Sequence, residues 1–437
     1  MEWEQFQTIA DFDHALEKQI QKTRVHDFQV QVLDSLGNAV SGVKINAKHI
    51  NHDFIFGVCP NGHISMANHL ACKESEEAEI YWERIGNLFN AITLWWGWRV
   101  LEPTIGKHTF DQEEAGYGPM ERMIERAEKL GLKLTAHAIL YPREDVCPEW
   151  LSKCLEEEAL VYLERHVKET VQRYRNRIST WHPVNEAYDV IQNIGPLHVN
   201  EGLVYKWISE LAPHADIVNN GGHTIEPEFY EKGIKNAEKF GGRVDDLGIR
   251  GYFELYSTDS LSFYQSMWEH YSYLAKRYNK GVRFTEIGAT SAARQGEYSP
   301  WDVDHTVSRQ LGIADFDEFR KNSVMNEETQ AEFLKRMYSM AFAHPSLKEC
   351  TYWDICDAYT WNGVEGGLIR KDLSAKPAYH ELRKLIHETW STEVSLETDE
   401  NGNCSFCGFD GQYEVHINGK KHSICLNQKS QKGILIV

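Results

Sequence analysis

The 437 residues are enough for one large domain with an appendage, and 42% hydrophobic content supports a sizeable core. A formal net charge of −19 argues against polyanionic partners such as nucleic acid or an anionic membrane surface. No apolar run approaches the roughly 20 residues that span a bilayer, so no membrane partner is expected.

The chain starts with an acidic, amphipathic segment that predicts a helix. It has no basic start followed by an apolar stretch and a small-residue cleavage site. A cytoplasmic location is the expectation for the chain as given, or secretion if a leader precedes it. The nine cysteines are scattered and mostly sit in apolar segments, which reads as reduced core thiols rather than a disulfide framework. Cys404 and Cys407 form a lone C-x-x-C, too few ligands for a zinc site.

Residues 26–58 alternate apolar and polar side chains around a turn at Asp34–Gly37, which predicts a β-hairpin or small β-module. From about residue 53 the pattern changes. Eight short β-like runs are predicted at 53–58, 89–94, 133–140, 178–185, 216–220, 246–253, 281–288 and 349–356. Helical patterns intervene, as at 119–131, 157–177 and 326–344, with apolar residues at three- and four-residue steps. Gly131 fits a C-terminal helix cap.

Eight β/α repeats predict a (β/α)8 TIM barrel over 53–390. The competitor, a doubly wound open sheet, lacks a Gly-rich phosphate fingerprint after an early strand. Residues 1–52 form an N-terminal helix and β-module, and 391–437 a C-terminal β-module that could pair with it. These modules are expected to cover the barrel's bottom or edge, with sugar binding the alternative.

In such a barrel, chemistry sits where strands end at their C-terminal face. That places Glu186 after the fourth strand, Glu286 on the seventh, and Asp354 and Asp357 on or just after the eighth. Two carboxylates across a barrel mouth suit glycoside hydrolysis. One is protonated to help the leaving oxygen depart, and the other is ionised to attack the anomeric carbon or activate water. Strands four and seven face each other across a narrow interior, which favours a short gap and a retaining outcome. The alternative is a structural ion pair with barrel Arg or Lys residues.

The segments around these acids resemble glycoside hydrolase family 10, chiefly endo-β-1,4-xylanases. WHPVNEA (181–187) is similar to the family's acid/base motif and VRFTEIG (282–288) to its nucleophile motif. RYRNRISTW, YWDICDAYTW, SAKPAY and the E-P-x-x-G of WRVLEPTIG follow family segments in order, so the likeness covers roughly residues 50–390. It implies Glu186 as acid/base, Glu286 as nucleophile and Asn185 as the ligand of a sugar 2-hydroxyl. It further implies that Trp353 and Trp361 wall that subsite, that His137 binds a sugar hydroxyl, and that Asn220 matches a family Asn.

Three departures stand out. Pro142 replaces a family His, a contact that Arg143 could supply. Arg250-Gly-Tyr252 replaces a Q-x-H, with Tyr252 able to donate its phenol to Glu286. Trp95, Trp96, Gly97, Trp98 and Arg99 replace a set that grips sugar through hydrogen bonds. The tryptophans could stack on a sugar, an acyl decoration or an aglycone, or belong to the core.

The resulting expectation is a retaining β-glycosidase acting on β-1,4-linked, xylan-derived oligosaccharides or polysaccharide. The reaction needs no cofactor, and with no His-x-His on an early strand no metal is assigned. The alternatives are a divergent retaining hydrolase of another β-glycan or decorated β-glycoside, and a non-catalytic carbohydrate-binding barrel.

Overall fold

The computed structural model describes residues 3–60, 69–110, 112, 117–186, 201–221, 227–253, 256, 258–292, 324–361 and 363–437. Residue 187, the last of the acid/base segment, lies outside them. The chain forms two compact units. One comprises residues 1–55, 335–345 and 380–437, the other 56–334 and 346–379.

The first unit starts with α1 (Ile9–Arg24), where Thr8 and Asp11 make reciprocal capping hydrogen bonds. The helix buries Phe12, Leu16 and Ile20, a four-residue step that aligns them on one face. Strands β1 (Val25–Leu33) and β2 (Lys44–His52) follow. Of the two expectations for this stretch, a hairpin or a small β-module, the hairpin is corrected: the strands belong to different sheets.

β1 lies between β12 (Asn403–Phe409) and β15 (Lys432–Ile436). β2 lies between β11 (Glu393–Glu397) and β13 (Gly411–Ile417), and β13 also pairs with β14 (Lys420–Leu426). Each sheet is thus built from both ends of the chain. Phe28, Val30 and Val32 on β1 and Ile45 and Ala47 on β2 point inward and pack with Phe406, Tyr413 and Val415. Only alternation is local to the sequence; the partners lie more than 340 residues away.

The second unit is a closed parallel barrel of β3 (Ile55–Cys59), β4 (Ala91–Trp95), β5 (Lys133–Leu140), β6 (Thr180–Val184), β7 (Asp216–Asn220), β8 (Asp246–Phe253), β9 (Gly281–Ala289) and β10 (Leu347–Trp353). All eight predicted runs are barrel strands. They are almost wholly buried on both faces, as parallel strands covered by helices must be. Gly131 adopts a φ of 70° after the helix Tyr117–Lys129, the left-handed cap its position suggested.

At the strand starts, Arg283 is fully enclosed and donates to Asp246 at 2.8 Å and Glu349 at 3.1 Å, and also bonds Asp216. This network closes the end of the barrel opposite the strand C-termini. Among the described residues no helix is long and apolar enough to cross a membrane.

Candidate active site

β6 delivers Asn185 and Glu186 at its C-terminal end. Asn185 forms a bridge with Asn220 at the end of β7. Glu186 has a φ of 51°, a left-handed conformation unusual for a non-glycine residue. It turns the carboxylate out of the strand direction, half-buried at the barrel mouth. β9 carries Glu286, 3% exposed. The β8–β9 register shifts between Ile249 and Arg250, and this irregularity sets Arg250 beside Glu286.

The two glutamates are joined through shared neighbours. Asn220 Nδ2 donates to Asn185 Oδ1 at 2.7 Å and to Glu286 Oε1 at 3.0 Å. Thr285 Oγ1 donates to Asn220 Oδ1 at 2.6 Å, which fixes the orientation of that amide. Tyr252 donates its phenolic hydrogen to Glu286 Oε2 at 2.5 Å. Tyr141 and Arg250 each bond Glu186, one to either carboxylate oxygen. A structural ion pair was the alternative role for these acids, and Glu186 does hold one with Arg250. Both glutamates nevertheless open on one cavity.

That cavity measures about 600 Å³, within the range of small-ligand clefts. Its wall includes Trp95, Arg99, His137, Tyr141, Arg143, Asn185, Glu186, Arg250, Tyr252, Glu286, Trp353 and Trp361. His137 stands edge-on to Trp353 at 5.0 Å and its Nε2 is 3.7 Å from Glu286 Oε1. Trp361 is 44% exposed and packs on Tyr252 at 5.2 Å, a flat face open to a ligand. Arg143 is held by Asp145 at 2.7 Å and reaches the Tyr141 hydroxyl at 3.2 Å.

Three of the residues considered for ligand contact fall elsewhere. Trp96 is corrected from the substrate wall to the core: it is 1% exposed and packs on Tyr174 and Trp181. Neighbouring residues of an extended chain point to opposite sides, so Trp95 at the strand end faces the cavity and Trp96 faces the helices. Trp98 likewise lies in the core, stacked on His166 and donating to Glu102 at 2.9 Å. Asn220 is 1% exposed and sits behind the wall, bonding the residues that form it.

Tyr141 and Arg250's grip on Glu186 was not foreseen. The nearest sequence signal was the arginine standing where a polar residue was expected on β8.

The electrostatics divide the acids. Burial pushes the Glu286 carboxyl above its ordinary value; Arg250, the Tyr252 hydroxyl and the Asn220 amide work against that, and the Glu186 charge adds to it. Asp354, 1% exposed with a φ of 63°, is raised by burial to about 8, although it accepts the Trp361 N–H at 2.7 Å. Asp357 pairs with Lys376 at 2.8 Å and is structural.

A closed eight-stranded parallel barrel with two glutamates opening on one cleft at the strand ends defines a barrel glycosidase. The sequence profile of glycosyl hydrolase family 10 matches residues 61–385, and the chain belongs to that family.

Endo-1,4-beta-xylanase B of Thermotoga neapolitana is 24% identical over 335 residues, covering 71% of this chain and 85% of that protein. The anti-sigma-I factor RsgI6 of Acetivibrio thermocellus is 23% identical over 443 residues, covering 98% of this chain, which spans only 50% of that protein's length. The crystal structure of xylanase 10B from Thermotoga petrophila in complex with xylobiose shares the fold. Its TM-score is 0.56 at 19% identity, over 77% of this chain and 95% of that one.

Proposed function

We propose that the protein is a retaining β-glycosidase that cleaves β-1,4-linked, xylan-derived oligosaccharides, with Glu186 as acid/base and Glu286 as nucleophile. The observation that carries this reading is the Asn185–Asn220–Glu286 hydrogen-bond chain, which ties both glutamate-bearing strand ends to one cavity. The family match and the xylanase names of its relatives supply the sugar class.

Glu286 attacks the anomeric carbon while Glu186 gives its proton to the departing glycosidic oxygen. This forms a glycosyl ester and a free sugar hydroxyl. Glu186, now ionised, takes a proton from water, whose oxygen attacks the same carbon and releases Glu286. Two inversions leave the configuration retained. Tyr252 and Asn220 hold the attacking carboxylate in place, and Asn185 offers its side chain to the 2-hydroxyl, a contact that strengthens as charge develops.

A second reading, a decorated β-glycoside or another β-glycan, is favoured by one observation. Arg99, Arg143 and Arg250 all line the cavity with Trp95. A panel of xylooligosaccharides and aryl β-glycosides separates the two readings by relative kcat/KM. Loss of all turnover in Glu286→Ala with an unchanged fold supports the assignment; undiminished turnover refutes it. Absence of turnover on every member of the panel would favour a carbohydrate-binding barrel.

A further inference from the structure

Away from the cleft mouth, Glu102, His108 and His166 bring one ligand atom each to within 4.8 Å of one another. Glu102 and His166 are fully buried, and the His108 side chain is 6% exposed. Donors bound at about 2.1 Å to a shared ion stand roughly 3–4 Å apart, so the most widely separated of these atoms need to close by about 1–2 Å.

Each side chain is oriented from behind. His108 Nδ1 lies 2.7 Å from Glu169 Oε2, which turns Nε2 toward Glu102 Oε2 at 3.2 Å. A carboxylate behind a histidine is the arrangement that fixes the tautomer of a metal ligand. The His166 ring stacks on Trp98 at 4.8 Å with the Ile139 carbonyl against it as a weak acceptor, and among the described residues neither ring nitrogen makes a hydrogen bond of ordinary geometry.

A fully buried imidazole in that state is costly unless something binds it. Glu102 Oε1 is used by the Gly106 N–H and Arg165, whereas among the described residues Oε2 receives the Trp98 N–H and faces His108.

We propose that Glu102, His108 and His166 form a binding site for a divalent cation of the zinc type, with water completing the coordination. Two imidazoles and one carboxylate suit zinc far better than calcium or magnesium, which favour all-oxygen sites. The Arg165 charge on Glu102 weakens the site without blocking it, because it engages the other carboxylate oxygen. The ion takes no part in hydrolysis. It ties the loop after the turn Trp98–Leu101, whose Arg99 and Val100 line the cleft, to the helix Glu156–Tyr174 that carries His166. The three ligands are scattered over 65 residues, which hid them from motif reading.

The test uses the full chain, stripped with EDTA and exchanged into chelator-free buffer, then titrated with Zn2+ alone by calorimetry and with Co2+ alone by visible absorption. One saturable equivalent is expected, with intense visible Co2+ bands of a low-coordinate nitrogen and oxygen site. Glu169→Gln, at a position whose side chain is 45% exposed, should fold normally and weaken Zn2+ binding about 10–100-fold. His108→Gln should remove the equivalent altogether. No saturable binding in the unsubstituted protein overturns the proposal, as does binding that both substitutions leave unchanged, because zinc on other histidines would survive them.

Discussion

Tyr252 and Glu286 share a hydrogen bond of 2.5 Å, made from neighbouring strands β8 and β9 inside the cleft. A phenol donating to a carboxylate favours its ionised form, and this contact is one of those opposing the rise that burial imposes on Glu286. Tyr252→Phe removes the donor and leaves the ring.

The expected result is a higher Glu286 pKa, so a smaller fraction of nucleophile is ionised at any acidic pH. The acidic limb of the kcat/KM profile moves to higher pH, while activity well above that limb changes less. A pH–rate profile of both proteins checks this; an acidic limb that stays put or moves down contradicts it.

Trp95 and Trp96 are adjacent but answer to different forces. Trp95→Ala strips one face from the cavity and should raise KM, with a smaller loss of stability than at Trp96 because one side of the ring faces the cleft. Trp96→Ala opens a hole against Tyr174 and Trp181 and should cost about 3–5 kcal/mol of stability. Steady-state kinetics and denaturant unfolding of the two variants, measured side by side, should show opposite patterns.

Asp354 makes a pH-dependent contribution to stability. Its pKa rises from 3.8 to about 8 on burial, so the folded state holds its proton more tightly than the unfolded chain. The benefit is complete below pH 4 and is lost as pH climbs through about 8. Asp354→Asn suits the left-handed backbone and carries no charge. Its melting temperature should match that of the unsubstituted protein near pH 4 and exceed it increasingly up to pH 9. Equal melting temperatures at all pH values would show that the carboxyl ionises freely.

The barrel was legible because each parallel strand is a short apolar run bounded by helices of clear periodicity, and β5, β7 and β8 were read to the residue. The terminal sheets were not, since β1 and β2 alternate as a hairpin would while their partners come from the far end of the chain. Within the site, Glu186 and Glu286 could be picked out by their place at strand ends, and Asn185 by the resemblance of the segment that carries it. The Arg250–Glu186 pair could not: it spans 64 residues and depends on the register shift at Ile249. Trp95 and Trp96 could not be told apart as cleft and core, because composition reports how many tryptophans there are, not which side of a strand each one takes.

The most direct measurement is proton NMR of the first product formed from a β-linked xylooligosaccharide, recorded before the anomers interconvert. If Glu286 forms a glycosyl ester that Glu186 then helps water to open, the β-anomer appears first and the α-anomer grows in by mutarotation. An initial α-anomer would mean a single displacement by water, and the role assigned to Glu286 would be wrong.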